Sequence, residues 1–356
     1  MQQHHSDSNL FALLDQCRRE LGKYLDALGV GPVETPSRAV VSKPGITLKS
    51  YEPAATTHGV AVLLVPAPIK RAYLWDLAPW ASVVRHCLDR GLCVYLVQWE
   101  QPGEGERNFG LAEYADRLIL ECVNAIQAET GQPALFLAGH SLGGTLAALF
   151  SALHPERVRG LILLGAPLHF GPTIGLFGPL VAAAPPAHML TAAMENVPGS
   201  VLNEISLLAS LATFGWSRWL DLLNSLTDLQ DLRTHGLVER WTLDELALPQ
   251  RFFEEVVEKL YREDQFIRGT LMIGEQRAAA RQVTAPLLSV VDKRCTLTPP
   301  EAVLPFHQTV QSGDTQILWY EGDVGVSLQH VGMLVGKHAH QHVWPEIIHW
   351  IQAHAR

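Results

Sequence analysis

Residues 134–158 read ALFLAGHSLGGTLAALFSALHPERV, and this stretch decides the fold. An apolar run over residues 134–138 leads directly into Gly139-His140-Ser141-Leu142-Gly143, and an apolar helical pattern follows. This is the pattern G-x-S-x-G in the strand–turn–helix context that gives it meaning. Glycines two positions on either side of the serine remove side chains that would collide at so sharp a turn. The pattern predicts that the turn presents the Ser141 hydroxyl as a nucleophile above a sheet.

Short apolar runs recur on both sides of this stretch, with helical patterns between them. Strands that are buried on both faces of a parallel sheet have such sequences, and their alternation with helices implies an α/β fold with right-handed crossovers. We predict strands over residues 59–65, 92–98, 134–138, 158–164, 286–291 and 315–320, and helices over residues 9–29, 112–129, 142–153 and 342–354. Together with the serine turn, this order predicts an α/β-hydrolase fold, with a mostly parallel central sheet and helices on both faces.

One segment interrupts the alternation. Residues 170–282 contain no clear strand, and their helical patterns are rich in Leu and Trp. We interpret them as a helical cap inserted into the core, in which Phe214, Trp216 and Trp219 are candidates to line an apolar pocket. The predicted division is an N-terminal helix and approach segment over residues 1–55, a core over residues 56–169 and 283–356, and the cap over residues 170–282.

Composition excludes some classes of function. The 356 residues include 27 Lys+Arg and 36 Asp+Glu, a net charge of −9, which argues against a nucleic-acid-binding protein. The five cysteines are scattered and odd in number, which indicates reduced thiols and predicts a cytoplasmic location. The polar start MQQHHSDSNL does not resemble a secretory signal, and no run of apolar residues is long enough to predict a membrane span.

A serine hydroxyl needs a base to become a good nucleophile. In this fold the base is a histidine that follows the last strand, and His330 in SLQHVGMLVG has that place. His338, His340 and His342 recur at every second position, but no acidic or cysteine ligand accompanies them. We therefore predict a solvated loop and helix start there, and no metal site.

The sequence leaves open which acid orients His330. An Asp usually follows the strand predicted over residues 286–291, a few residues before a Pro-Pro pair. In SVVDKRCTLTPP, Asp292 comes early, and Cys295 stands four places before Pro299, where the acid is expected. The acid is therefore displaced to Asp292, supplied by another residue or missing, and a Ser–His pair without it still reacts, only more slowly. The other acidic candidates are Asp314, Glu321 and Asp323.

Two backbone N–H groups should stabilise the oxyanion that forms when a serine attacks a carbonyl. Leu142 supplies one at the start of a helix, where the helix dipole adds to its effect. The second should come from the loop VPAPIKRAYLWDL, residues 65–77. Because the prolines of this loop have no N–H, the donor is Ile69 or Ala67, and we favour Ile69.

Several segments together resemble one family, the polyhydroxyalkanoate synthases, and most closely the short class III catalytic subunit. The resemblance covers nearly the whole chain. It rests on VETPSRAVVSKPGITLKSYEP (33–53), VPAPIKRAYLWDLAPWASVVRHCLDRGLCVYLVQWEQP (65–102), GHSLGGTLAALF (139–150), LYREDQFIRGTLMIGEQRAAARQVTAPLLSVV (260–291), HVGMLVG (330–336) and VWPEIIHWI (343–351). Those synthases polymerise hydroxyacyl-coenzyme A thioesters through a cysteine nucleophile. The resemblance places their nucleophile at Ser141, their base at His330 and their acid at Cys295, so this chain departs from the family at two of three positions.

Serine in place of cysteine changes the expected activity, because a thiolate attacks thioesters better and leaves more readily than a serine alkoxide. We expect a serine-nucleophile acyltransferase that takes an acyl or hydroxyacyl group from a thioester of coenzyme A or a carrier protein, through an acyl-Ser intermediate. The alternatives are a thioesterase, esterase or polyester depolymerase, and a catalytically weak scaffold or partner protein. No cofactor is expected to stay bound, and the resemblance implies a homodimer that pairs through the cap.

Overall fold

An eight-stranded sheet lies at the centre of the molecule. The computed structural model describes residues 2–51 and 59–355, without the side chains of residues 2–9. In chain order the strands are β1 (Arg38–Lys43), β2 (Ile46–Tyr51), β3 (Ala61–Val65), β4 (Cys93–Trp99), β5 (Leu135–His140), β6 (Val158–Leu164), β7 (Leu287–Asp292) and β8 (Thr315–Tyr320). Their order across the sheet is β1-β2-β4-β3-β5-β6-β7-β8. From β4 to β8 all neighbours are parallel, and β1 and β2 extend one edge in antiparallel pairing.

Helices cover the sheet and make up most of the inserted segment. In chain order they are α1 (Gln2–Ala27), α2 (Val83–Leu88), α3 (Leu118–Thr130), α4 (Leu142–Leu153), α5 (Phe177–Ala183), α6 (Ala187–Thr191), α7 (Gly199–Ala209), α8 (Ser217–Ser225), α9 (Leu229–Trp241), α10 (Gln250–Glu255), α11 (Gln265–Arg268), α12 (Leu304–Thr309), α13 (Gln329–Val335) and α14 (Trp344–His354). π-Helical turns adjoin four of them, over Ala112–Arg117, Ala212–Trp216, Val256–Arg262 and Ala339–Val343.

The parallel strands form where the sequence has continuous apolar runs. Every residue of β3, β5 and β7 is buried, because helices cover both faces of a parallel sheet. One apolar core joins the sheet to α3 and α4. A second core on the other face joins it to α2, α13 and α14. The predicted α/β-hydrolase fold is confirmed.

The inserted segment leaves the sheet after β6 and returns before β7. The expectation that it lacks strands is wrong, because Asn196–Val197 pairs with Leu248–Pro249, and Leu271–Ile273 pairs with Gln276–Ala278. Strands of two or three residues are too short to show an alternating pattern. We retain the predicted cap, residues 170–282, as a proposal. The proposed boundary between residues 55 and 56 lies outside the described residues.

The N-terminal helix α1 is held on the inserted segment by charged contacts. Arg18 donates to both carboxylate oxygens of Glu245, each at 2.8 Å, and to the carbonyl of Thr242 at 2.7 Å. Arg240 binds the carboxylate of Asp26 through two nitrogens, at 2.7 and 2.8 Å. These contacts fix the segment 240–245, which also borders the cavity described below. Within the described part of the chain, no helix has the length and apolar content to cross a membrane.

Candidate active site

Ser141 occupies a one-residue turn between β5, which ends at His140, and α4, which begins at Leu142. Its backbone is in the left-handed region, with φ 54° and ψ −133°. A non-glycine residue in such a conformation costs on the order of 1–3 kcal/mol and persists only where its surroundings enforce it. Here the N–H of Ser141 donates to the carbonyl of Leu164 at 3.0 Å, and its own carbonyl accepts from the N–H of Gly144 at 2.9 Å.

Three glycines make this turn sterically feasible. A Cβ at Gly143 would lie 2.3 Å from the carbonyl oxygen of Val65, and one at Gly139 would lie 2.5 Å from the Cα of Gly144. A Cβ at Gly144 would lie 2.5 Å from the Cβ of Ala166. All three distances are shorter than real Cβ contacts, so the sequence G-x-S-x-G-G follows from close packing around the turn.

His330 lies near the start of α13 and is only 5% exposed. Its Nε2 has no hydrogen-bond partner among the described residues, and its ring lines the same cavity as Ser141. Burial, with a smaller contribution from His140, lowers the pKa of His330 well below its usual value. The imidazole is therefore neutral at neutral pH and can accept a proton. Its hydrogen bond to the Ser141 hydroxyl is not formed in the free enzyme, where such catalytic bonds are often long.

His140 supports His330 from the second position of the serine motif. Its Nε2–H donates to the carbonyl oxygen of His330 at 2.9 Å, and the two ring centroids are 4.7 Å apart. Burial lowers the pKa of His140 to about 4, so this ring is also neutral at neutral pH. This contact leaves no local pattern in the sequence, because it joins residues that are far apart in the chain.

Cys295, not Asp292, lies beside His330. The Sγ of Cys295 is 3.5 Å from Nδ1 of His330. The Asp292 carboxylate instead accepts from the N–H of Arg294 at 2.8 Å, within the turn that follows β7. The geometry does not support the predicted displacement of the acid to Asp292. Its carboxylate binds a backbone N–H of its own turn and makes no hydrogen bond to His330.

The thiol of Cys295 is a poor substitute for a carboxylate. Burial raises its pKa, although nearby backbone N–H groups act in the other direction. The N–H of Thr298 donates to Sγ at 3.4 Å. A neutral thiol can accept a weak hydrogen bond from Nδ1–H and so orient the ring. It carries no charge to stabilise an imidazolium ion.

The other acidic candidates have different partners. Asp323 accepts from the Tyr320 hydroxyl at 2.6 Å and from the N–H of His338 at 2.7 Å. Asp314 lies 2.8 Å from Nε2 of His354, and Glu321 lines a separate surface cavity together with Asp323. No carboxylate makes a hydrogen bond to His330 within the described ranges.

The predicted oxyanion donors also border the cavity that contains Ser141. Leu142, Ile69 and Ala67 all line it. Two hydrogen bonds hold the loop that carries Ile69. The Ile69 carbonyl accepts from the N–H of Leu246 at 3.0 Å, and the Pro66 carbonyl accepts from the Trp99 indole N–H at 2.8 Å. The choice of Ile69 over Ala67 stays a prediction.

Comparison with known proteins supports the α/β-hydrolase fold. Residues 61–202 match a family model described as alpha/beta hydrolase fold. The chain is 30% identical over 322 residues to the poly(3-hydroxyalkanoate) polymerase subunit PhaC of Haloferax mediterranei. This match covers 89% of this chain and 64% of that protein. It is 26% identical over 340 residues to the subunit of the same name from Allochromatium vinosum, which covers 94% of each. The chain thus spans less than two thirds of the first relative and nearly all of the second.

The chain is similar to poly(3-hydroxyalkanoate) polymerase subunits and has an α/β-hydrolase fold. Among solved structures it is similar to a Paleococcus ferrophilus monoacylglycerol lipase (17% identity, TM-score 0.53, 83% of this chain and 96% of that one). It is also similar to a soluble variant of monoglyceride lipase from Saccharomyces cerevisiae (12% identity, TM-score 0.54, 91% and 96%). At such low identity these two structures bear on the fold alone.

The cavity at Ser141 is mostly apolar, with about 1260 Å³ of empty space, part of it open to solvent. The core contributes Leu74 and Trp75, and the inserted segment contributes Phe177, Phe214 and Tyr261. Of the three aromatic candidates from the sequence, only Phe214 lines the cavity. The other two are mainly exposed, Trp216 at 68% and Trp219 at 65%, because they lie on the outer face of the cap.

The clustered histidines of the synthase-like chain have structural contacts. The rings of His338 and His342 lie with centroids 4.7 Å apart, and Nε2 of His340 donates to the carbonyl of Leu334 at 2.9 Å. Among the described side chains, those of residues 10–51 and 59–355, no group of three or more His, Cys, Asp or Glu could hold a metal ion.

Proposed function

We propose that this synthase-like hydrolase is a serine-nucleophile acyltransferase, which takes an acyl or hydroxyacyl group from a thioester through an acyl-Ser141 intermediate. One observation carries the proposal. Ser141 stands on a strained turn in the same cavity as His330, whose Nε2 is buried and has no hydrogen-bond partner in the part of the chain that the structure describes. Buried polar atoms are rarely left unpaired unless they have a function.

The reaction would proceed in two steps. In the first, His330 Nε2 accepts the hydroxyl proton while Ser141 Oγ attacks the thioester carbonyl, and the N–H groups of Leu142 and Ile69 stabilise the oxyanion. The carbon–sulfur bond then breaks, and the proton on His330 passes to the departing thiol. In the second step, His330 accepts the proton of an alcohol, amine or thiol acceptor as this acceptor attacks the acyl-serine carbonyl. The bond between the acyl carbon and Oγ breaks, and His330 returns the proton to Ser141 Oγ.

Transfer is favoured over hydrolysis by the setting of the site. The lining of the cavity is mostly apolar, and apolar side chains beside the acyl-serine ester offer few partners to a hydrolytic water. The relatives are named polymerase subunits, and polymerisation is a transfer reaction. The alternative, a thioesterase, esterase or polyester depolymerase, is supported by the serine itself. The neutral thiol of Cys295 in the acid position motivates a third candidate, a catalytically weak scaffold.

Intact-protein mass spectrometry would separate these three functions. The protein is mixed with acyl-coenzyme A or acyl-carrier thioesters, with and without alcohol, amine and thiol acceptors. We expect wild type to form an acyl adduct and Ser141→Ala to form none. An added acceptor should remove the acyl group from the wild-type adduct faster than water does. Ser206→Ala, which removes another hydroxyl that borders the cavity, is the matched control and should form the adduct. An adduct that persists in Ser141→Ala refutes the assignment of the nucleophile, and no adduct or fluorophosphonate labelling in wild type supports the scaffold.

Coenzyme A and a phosphopantetheinyl carrier protein are both candidate donors, and a cytoplasmic location stays a prediction. A homodimer that pairs through the cap is supported by an exposed apolar face on this segment. Its members are more than half exposed and follow one another along the cap: Leu208, Leu211, Trp216, Trp219, Leu223 and Leu226. Light scattering would give the mass in solution, and a monomer at every concentration would contradict the dimer.

A further inference from the structure

The wall of the cavity beside the oxyanion loop is unusually cationic for a chain with a net charge of −9. Three basic side chains border the cavity here, Lys70, Arg71 and Arg218, and the one carboxylate among its lining residues is that of Glu245. A surplus of positive charge in a mostly apolar cavity is costly unless anions neutralise it. The partners of each basic group therefore show which charge is left for a ligand.

Lys70 is already neutralised. Its Nζ lies 2.6 Å from a carboxylate oxygen of Glu245 and 2.7 Å from the carbonyl of Thr242. Glu245 in turn accepts from Arg18 of α1 at 2.8 Å. Burial lowers the pKa of Lys70, the Glu245 carboxylate opposes this effect, and the positive charges of Arg18 and Arg218 add to it.

Arg218 is neutralised as well. Its Nε donates to the Glu239 carboxylate at 2.8 Å, and a terminal nitrogen reaches the same carboxylate. The fork-shaped pairing of a guanidinium with a carboxylate uses the donors that a ligand would otherwise bind. Neither Lys70 nor Arg218 is therefore free to recognise an anionic substrate.

Arg71 differs from both. Its guanidinium makes no hydrogen bond and no ion pair with any described residue, although the side chain is partly buried at the cavity wall. Its backbone, in contrast, is fixed on both sides. The N–H donates to the carbonyl of Asp244 at 3.3 Å, and its carbonyl accepts from the Trp241 indole at 2.8 Å. The backbone of Arg71 is therefore fixed, while its guanidinium donors remain available to an anion.

We propose that Arg71 binds an anionic group of the acyl donor, a carboxylate or a phosphate, while the donor carbonyl lies at Ser141. The proposal rests on the acyltransferase function proposed above and names a feature of its substrate. Arg71 follows Ile69 by two residues, about 7 Å of chain at most. The anion would therefore lie within about one side-chain length of the oxyanion site, at the end of a short acyl chain or on the phosphopantetheine arm.

Two matched donor pairs distinguish the two sources of the anion. The first pair, p-nitrophenyl glutarate monoester and p-nitrophenyl valerate, differs in a carboxylate on the acyl chain. The second pair, valeryl-coenzyme A and valeryl-pantetheine, differs in the phosphates of the leaving group. The variants are Arg71→Gln, Arg71→Lys and, as an exposed control far from the site, Arg277→Gln.

We expect Arg71→Gln to lower kcat/KM for the anionic member of one pair by about 10- to 100-fold, as is typical when a charge-assisted hydrogen bond is lost. The neutral member should change by less than about 3-fold, and Arg71→Lys should retain part of the preference. The pair that responds identifies the source. Equal losses for charged and neutral donors, or no loss in either pair, overturn the proposal.

Binding separates this proposal from the acyltransferase function. Calorimetry with Ser141→Ala, which cannot form the acyl-enzyme, measures the affinity of the same four donors without reaction. If the anion preference is present and disappears in Ser141→Ala/Arg71→Gln, the role of Arg71 stands even when wild type transfers no acyl group. If Ser141→Ala binds charged and neutral donors equally, Arg71 has no such role, whatever the activity of wild type.

Discussion

Replacing Cys295 with aspartate should restore the charge that the site lacks. The distance of 3.5 Å between Sγ and His330 Nδ1 reflects a long contact to sulfur, and a carboxylate oxygen extends further from Cβ and would reach ordinary hydrogen-bond distance. Two unit charges at such a distance attract by about 5 kcal/mol at an effective dielectric constant of about 20. Burying the carboxylate costs several kcal/mol. A net gain of about 1–3 kcal/mol for the imidazolium-like transition state remains, which corresponds to an acylation rate about 10- to 100-fold higher.

The pH dependence gives a second, independent test of Cys295→Asp. In wild type the pKa of His330 lies well below its usual value, so the base is already neutral and acylation should not rise between about pH 6 and about pH 8. A neighbouring carboxylate raises the pKa of a histidine. In the variant the rate should therefore fall as the pH is lowered through this range, because His330 becomes protonated.

Stopped-flow acylation with a fluorophosphonate and with p-nitrophenyl acetate measures both effects. Cys295→Asn is the matched control, because the amide has the size of the carboxylate but no charge, and its rate should stay within about 3-fold of wild type. If Cys295→Asp folds, as judged by its melting temperature, and is no faster than Cys295→Asn with an unchanged pH profile, then Cys295 does not occupy the position from which an acid would act.

Three further predictions concern the turn, the rejected acid and the response to pH. Gly143→Ala should lower the free energy of unfolding by about 1–3 kcal/mol and abolish acylation, because its Cβ meets the Val65 carbonyl. Gly215→Ala is the control, since a Cβ there has open space around it and should change neither property. Thermal melts and labelling assays measure the two properties. Asp292→Asn should slow acylation by less than about 3-fold; a larger loss than for Cys295→Ala would reinstate Asp292 as the acid. Burial lowers the pKa of His307 to about 4. The free energy of unfolding, measured in urea, should therefore fall as the pH drops from about 6.5 towards 4. In His307→Gln the slope of this free energy against pH should be smaller by about 1.4 kcal/mol per pH unit.

The features that could be predicted from sequence are those that leave a local pattern. Strands such as β6 are continuous apolar runs because both faces of the sheet are covered. The turn at Ser141 needs its glycines next to it in the chain. His330 could be proposed because it follows the last strand, β8. In each case the residues that cause the structure are also its neighbours in sequence.

The features that could not be predicted depend on long-range contacts. The position of Cys295 beside His330 depends on how the turn after β7 folds, which its sequence does not determine. The edge strand β1 is mostly exposed and therefore lacks an apolar run. The guanidinium of Arg71 has no partner among the described residues, because the nearby carboxylates bind Lys70 and Arg218. These carboxylates lie on a segment of the chain far from Arg71 in sequence.

The turn at Ser141 fixes the position of its side chain without using the side-chain oxygen. Its conformation depends on backbone hydrogen bonds and on glycine packing, none of which involves Oγ. Exchange of that oxygen for sulfur would thus leave the architecture intact while altering nucleophilicity, leaving-group ability and the stability of the covalent intermediate. On such a framework, the chemistry of the nucleophile can change by one atom while the fold around it stays the same.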